Sequence, residues 1–185
     1  MGKWHKLIPH PALAPVGVSG VEASASRVAR DVLSVRFRAF GDLNFWMLRT
    51  PKDSADRRRA DELWRTTCFE LFAKGSTPAY VEINLAPDGD WAAYHFDRYR
   101  EGMSEPSACS PQYRAKPLAG ACDVSASFCL TGFSALSGSL AIGLSAIIET
   151  LDGTKSYWAL AHPPGAPDFH HPACFTARLP APERP

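Results

Sequence analysis

Leu63-Trp64-Arg65-Thr66-Thr67-Cys68-Phe69-Glu70-Leu71-Phe72, followed by Tyr80-Val81-Glu82-Ile83-Asn84-Leu85, decides how the rest of the chain is read. In the first segment Phe69, Leu71 and Ala73 alternate with Cys68, Glu70 and Phe72; in the second Val81, Ile83 and Leu85 alternate with Tyr80, Glu82 and Asn84. A period of two sends successive side chains to opposite faces of a strand. The link Lys74-Gly75-Ser76-Thr77-Pro78 is short enough to make the two strands antiparallel neighbours. The result is a hairpin with one apolar face and one face carrying Glu70, Glu82 and Asn84, with Trp64 at its mouth. A charged group set between large apolar neighbours must be paired, hydrated or used. Pairing with Arg36 or Arg38 is the structural explanation that stands against a binding role.

The same alternation extends outward in both directions. Val16 to Arg30 alternates small apolar with polar residues, and in Asp31 to Phe40 the residues Leu33, Val35, Phe37 and Ala39 share a face opposite Ser34, Arg36 and Arg38. After the Pro87-Asp88-Gly89-Asp90 turn, Trp91 to Arg98 is expected to be covered on both faces. Tyr113 to Pro117, Cys122 to Leu130, Leu140 to Glu149 and Lys155 to Leu160 follow, with Asp152-Gly153 as a hairpin signal, and Phe175 to Leu179 reads as a short last strand. Helical period is weak and confined to Leu130 to Leu136. Thr50 to Glu62 is a long charged connector of the kind that is functional or mobile, and Ala161 to Pro172, with its prolines, reads as an irregular surface loop. Short strands with regular turn signals give an all-β class, an antiparallel β-sandwich of about ten strands with immunoglobulin- or jelly-roll-like layering. One domain over residues 1–180 and a disordered tail at 181–185 are expected.

Lys and Arg total 20 against 19 Asp and Glu, a net charge of +1 that gives no global field for nucleic acid or an anionic membrane. Arg57-Arg58-Arg59 is followed by Asp61 and Glu62 and reads as a solvated loop. Cys68, Cys109, Cys122, Cys129 and Cys174 contain no C-x-x-C pair, which predicts reduced, mostly buried thiols. The apolar stretch after Lys3 and Lys6 is broken by Pro9, His10, Pro11 and Pro15, so a secretory segment is not expected, nor is a membrane span. A cytoplasmic address is the simplest expectation.

Chemistry-bearing residues fall in three groups. Trp64, Trp91 and Phe169 sit at strand ends or in loops, where a ring can offer its face to a sugar while Glu70, Glu82 and Asn84 bond its hydroxyls. Trp46, Trp91 and Trp158 are expected in the core, whereas Trp64, between Glu62 and Arg65, fits either place. His162-Pro163-Pro164-Gly165-Ala166-Pro167-Asp168-Phe169-His170-His171 gathers imidazoles and a carboxylate, a candidate for a transition metal or for proton transfer in a metal-dependent enzyme. Haem is the cofactor alternative, with Met47, Met103, His95 and His162 as axial candidates. Cys68 is the one candidate for covalent catalysis. G-x-S-x-G, H-E-x-x-H and a glycine-rich phosphate loop after a strand are absent.

The segments from Leu63 to Phe72, Tyr80 to Tyr94, Phe96 to Arg100, and Ser156 to Pro163 with Phe175 resemble the bacterial DOMON-like domains, which are related to the family-nine carbohydrate-binding modules. The resemblance covers about Leu33 to Leu179. It implies a β-sandwich of roughly ten strands, and the broader DOMON relatives bind haem or sugar; the expectation is a non-catalytic module holding a small-molecule ligand, sugar-like, with no cofactor and haem as the alternative. In the sugar-binding relatives a tryptophan before the C/S-x-E strand and an aromatic in the last loop clamp the sugar. Carried over, these positions are Trp64 and Phe169, with Glu70 as a hydrogen-bond partner. Glu82 stands where those relatives place a basic residue, and the second clamp member is Phe rather than Trp. The expected binding set is Trp64, Glu70, Glu82, Asn84, Phe169 and His170, and it requires the Asp168–His171 loop to meet the Leu63–Leu85 hairpin in space.

Overall fold

The computed structural model describes residues 2–48, 50–106, 111–129 and 136–182. Cys109, residues 130–135 of the weak helical stretch and 183–185 of the tail lie outside them. The described chain forms eleven strands and short 3-10 turns, with no α-helix among the described residues. The strands are β1 (Trp4–Pro9), β2 (Val18–Ala29), β3 (Val32–Gly41), β4 (Cys68–Lys74), β5 (Tyr80–Leu85) and β6 (Trp91–Phe96). Then come β7 (Gln112–Leu118), β8 (Ala121–Cys129), β9 (Leu140–Glu149), β10 (Lys155–Ala159) and β11 (Ala177–Leu179).

All pairings between these strands are antiparallel, and they make two layers. The first runs β1-β2-β3-β8-β7 and the second β6-β5-β4-β9-β10-β1, with β11 on the edge of β9 that β10 also uses. The expected sandwich is present, with one addition that the sequence reading missed. Strand β1 joins the layers: Trp4 to Leu7 pair with β2, and Ile8 and Pro9 pair with β10.

Leu33, Val35, Phe37 and Ala39 of β3 face the opposite layer, where Phe69, Leu71, Ala73, Val81, Ile83 and Leu85 are buried with them. Phe37 and Phe69 meet across the layers with ring centroids 5.3 Å apart. Leu140, Ile142, Leu144, Ala146 and Ile148 of β9 complete the core along the alternation read from the sequence. Trp46, Trp91 and Trp158 are buried as expected. Two of their indole N–H groups keep a partner inside: Trp46 donates to the Gly17 carbonyl and Trp158 to Ser156 Oγ, each at 3.0 Å.

The Thr50–Glu62 connector is neither free nor simply solvated. Ala60 N–H donates to the Trp91 carbonyl at 2.9 Å and Trp91 N–H to the Arg58 carbonyl at 3.2 Å, so the connector pairs with the start of the β6 edge. Lys52 reaches the buried Asp88 and Asp90 of the β5–β6 turn, Arg57 donates to the Tyr113 carbonyl at 2.8 Å, and Arg59 pairs with Asp61 and Glu105. The arginine cluster therefore fastens a loop. In the turn itself, Gly89 has φ +103°, a conformation that an L side chain rarely adopts. Cys68, Cys122 and Cys174 are buried and, like the half-buried Cys129, unbridged. No helix of the described residues is long and apolar enough to cross a membrane.

Candidate functional site

The second layer is covered on both faces. Its inner face meets the first layer; its outer face carries Cys68, Glu70 and Phe72 from β4, Tyr80, Glu82 and Asn84 from β5, and Tyr94 and Phe96 from β6. Antiparallel register sets the rows. Glu70 lies opposite Asn84 on one side and Ser145 on the other, while Glu82 lies between Phe72 and Tyr94. The two glutamates are thus diagonal neighbours on adjacent strands.

The Ala161–Pro172 segment is irregular as expected, but it packs over this outer face rather than lying free. Asp168 fixes it: its Oδ1 accepts from His170 N–H at 3.2 Å and from the Arg100 guanidinium at 2.7 Å, and Tyr99 O–H donates to Oδ2. Against the burial that would raise it, those bonds from Tyr99 and Arg100 hold the Asp168 carboxyl below its ordinary value. Arg100 sits in the tight return after β6 with φ 56°, and Glu62, just before the 3-10 turn Leu63–Arg65 that carries Trp64, has φ 59°. These are the non-glycine residues in the left-handed region among those described, and both flank the same place.

That place is a cavity of about 490 Å³, in the range of roughly 300–1,000 Å³ usual for small-molecule sites. Trp64, Glu70, Glu82, Phe169 and His170 all line it, so the hairpin and the distant loop meet. Trp64 is 36% exposed and rests edge-on against Tyr94, 5.8 Å between centroids, whereas Phe169 is only 8% exposed and forms part of the wall beside Tyr157. Asn84 is fully buried behind the wall; its Nδ2 donates to Glu82 Oε1 at 2.8 Å and so orients that carboxyl rather than facing the cavity.

Glu70 and Glu82 are 3% and 5% exposed. The expected alternative of pairing with Arg36 or Arg38 does not occur. Arg38 forms a two-pronged bond to Asp123 at 2.6 and 2.8 Å, and Arg36 lies over the Trp4 ring, both on the first layer. Instead, Ser145 Oγ donates to Glu70 Oε2 at 3.0 Å. Burial, and next the charge of Glu82, push the Glu70 carboxyl up; burial likewise raises Glu82, against the hydrogen bond from Asn84 and the field of Arg100. The two titrate as a pair and share protons at neutral pH.

His170 completes the polar wall. Tyr80 O accepts from Arg100 N–H at 3.2 Å, and its hydroxyl shares a hydrogen bond with His170 Nδ1, 2.7 Å away. Burial, then the positive field of Arg100, lower this imidazole to about 4. At neutral pH it is uncharged, and its Nε2 lies 3.6 Å from Glu82 Oε2; that contact is neither an ion pair nor a hydrogen bond.

Arg100, Tyr94 and Phe96 also line the cavity and were missed by the sequence reading, as was Tyr80 behind His170; Met103, named there only as a haem candidate, lines it too. Phe96, which lines the cavity, stacks on Tyr80 with ring centroids 4.8 Å apart. Tyrosine and phenylalanine alternating with the glutamates on one strand face was the available signal.

Of the haem candidates Met103 lines the cavity, whereas Met47, His95 and His162 do not. Met47 is 40% exposed, and His162 Nε2 donates to the Ile8 carbonyl at 2.9 Å. The imidazoles of the loop are likewise engaged apart, His171 Nδ1 accepting from Ala173 N–H at 3.2 Å. Among the described residues no three His, Cys, Asp or Glu side chains converge as a metal requires. Burial pushes the Cys68 thiol well up, which suits packing and not nucleophilic attack.

No family model and no curated protein matches the chain. Solved structures do. A proposed carbohydrate-binding protein from Bacteroides uniformis superposes with TM-score 0.68 at 11% identity, over 97% of this chain and 86% of that one. A family 9 carbohydrate-binding module from Caldicellulosiruptor kristjanssonii, in complex with cellotriose, gives 0.57 at 8% identity over 100% and 84%. A module of that family and organism with glucose gives 0.56 at 10% identity over 100% and 86%. The chain therefore has a carbohydrate-binding-module-like fold.

Proposed function

We propose that the cavity on the outer face of β4, β5 and β6 binds a carbohydrate, in a single non-catalytic module spanning residues 1–180 and belonging to the DOMON-like branch that the sequence resembles. The observation that carries this reading is the convergence of Trp64, Glu70, Glu82, Phe169 and His170, from segments far apart in the chain, on one aromatic-walled cavity. A sugar ring is apolar on its C–H faces and polar at its rim. Trp64 and Tyr94 offer ring surface for the face. Glu82, His170 Nε2 and Arg100 offer both acceptors and donors for the rim. The likeness to modules solved with cellotriose and glucose supports the same ligand class.

The test is a panel of mono- and oligosaccharides assayed by calorimetry against the native chain and Trp64→Ala. Binding to at least one sugar, lost in Trp64→Ala while its thermal unfolding stays cooperative, is the expected result. No binding across the panel, or binding that is indifferent to Trp64→Ala, overturns the reading.

A further inference from the structure

Glu70 and Glu82 have more acceptor capacity than the protein uses. Ser145 satisfies Glu70 Oε2 and Asn84 satisfies Glu82 Oε1, while the second oxygen of each carboxyl carries no hydrogen bond among the described residues. No Lys or Arg nitrogen among those residues lies within ion-pair distance of either carboxyl. Arg100, the cation whose field reaches both, lines the same cavity and is bonded to Asp168 at 2.7 Å. The other polar groups around the pair are Cys68, Tyr80, Tyr94 and His170, all uncharged at neutral pH.

Two carboxyls more than nine-tenths buried, lining a cavity and without a Lys or Arg in ion-pair contact among the described residues, would destabilise the fold unless a ligand completes them. Their protein partners, a hydroxyl and an amide N–H, are donors that favour the ionised form. What is missing is a cation in contact with the free oxygens of the pair, beside rings that attract cations. We propose that the ligand is an amino sugar, its protonated primary amine seated between Glu70 and Glu82 and its ring against Trp64. This rests on the carbohydrate reading above and narrows it. The ammonium enters with all its protons and donates to the free carboxyl oxygens; the proton shared by the pair leaves to water. A neutral sugar of the same shape leaves that proton in place.

The experiment is calorimetry on the full chain at about pH 6.5 with glucosamine, N-acetylglucosamine and glucose, in buffers of different ionisation enthalpy. Glucosamine is expected to bind at least about tenfold tighter than either neutral sugar, with net proton release that the neutral sugars do not show. In Glu82→Gln, checked for folding by circular dichroism, the ratio of glucosamine to glucose affinity is expected to fall toward one. If glucose or N-acetylglucosamine binds as tightly as glucosamine, or glucosamine binds without proton release, the amine proposal is overturned and the carbohydrate reading stands. If none of the three sugars binds, the amine proposal is overturned, and the wider panel decides the carbohydrate reading. The proton count on the native chain decides the matter even if Glu82→Gln does not fold.

Discussion

The two faces of the β4–β5 hairpin are built from alternate residues of the same strands and are buried to the same degree, yet they do opposite things. On the inner face Phe69, Leu71, Val81 and Ile83 leave water for the apolar side chains of the other layer. On the outer face Glu70, Glu82 and Asn84 leave water just as completely, but there the two glutamates face a cavity. Burial of the first set drives folding, about 1.5–3 kcal/mol for each large side chain. Burial of the second opposes it, because carboxyls and amides lose hydration that their few partners only partly restore. Depth alone does not separate core from site; the chemistry of what is buried does.

The largest test of that contrast is Phe69→Ala. It should lower stability by about 3–5 kcal/mol, read as a fall in the denaturant midpoint, and a loss below about 1 kcal/mol would show that the inner face is not the core. Next is His170→Gln. The imidazole is lowered from 6.5 to about 4, so the unfolded chain binds the proton more readily, and stability falls as pH drops from 6.5 toward 4. Removing the group should flatten that acid-side loss by up to about 3 kcal/mol, and an unchanged slope between those pH values would contradict it.

Glu70→Gln tests the opposite sign. Its carboxyl is raised in the folded chain, so the folded state holds the proton more tightly and stability declines as pH rises from 4.5 into the neutral range. The variant should gain at least about 1 kcal/mol at neutral pH and little at acid pH; a loss at neutral pH would mean that the ionised pair stabilises the fold. The smallest stability effect is expected for Trp64→Ala, within about 1 kcal/mol, because Trp64 is partly exposed and touches Tyr94 only at its edge. A larger loss would assign Trp64 to the core.

The fold was legible wherever one period of two ran uninterrupted, as in β3, β4, β5 and β9. It was not legible in β1, where only Leu7 is buried and the segment changes partner midway, so no single face ever forms a pattern. In the site, Trp64, Glu70, Glu82, Phe169 and His170 could be named because a polar or aromatic residue interrupts an apolar or proline-rich context. Arg100 could not. It lies in a short return among Asp97, Arg98 and Glu101, where nothing in the sequence marks which charge turns inward. Asn84 looked equivalent to Glu82, and only register and side-chain length put one behind the other.

The strand that the sequence hid also constrains how the chain is made. Ile8 and Pro9 pair with Ala159 and Trp158, residues that leave the ribosome long after them. Until β10 has been synthesised, the C-terminal end of β1 has no partner, and the seam between the layers stays open. Contacts this distant in sequence slow folding, so the last step of assembly is expected to be the closing of that seam by the chain's earliest strand. A prolyl bond, Ile8–Pro9, sits at the junction.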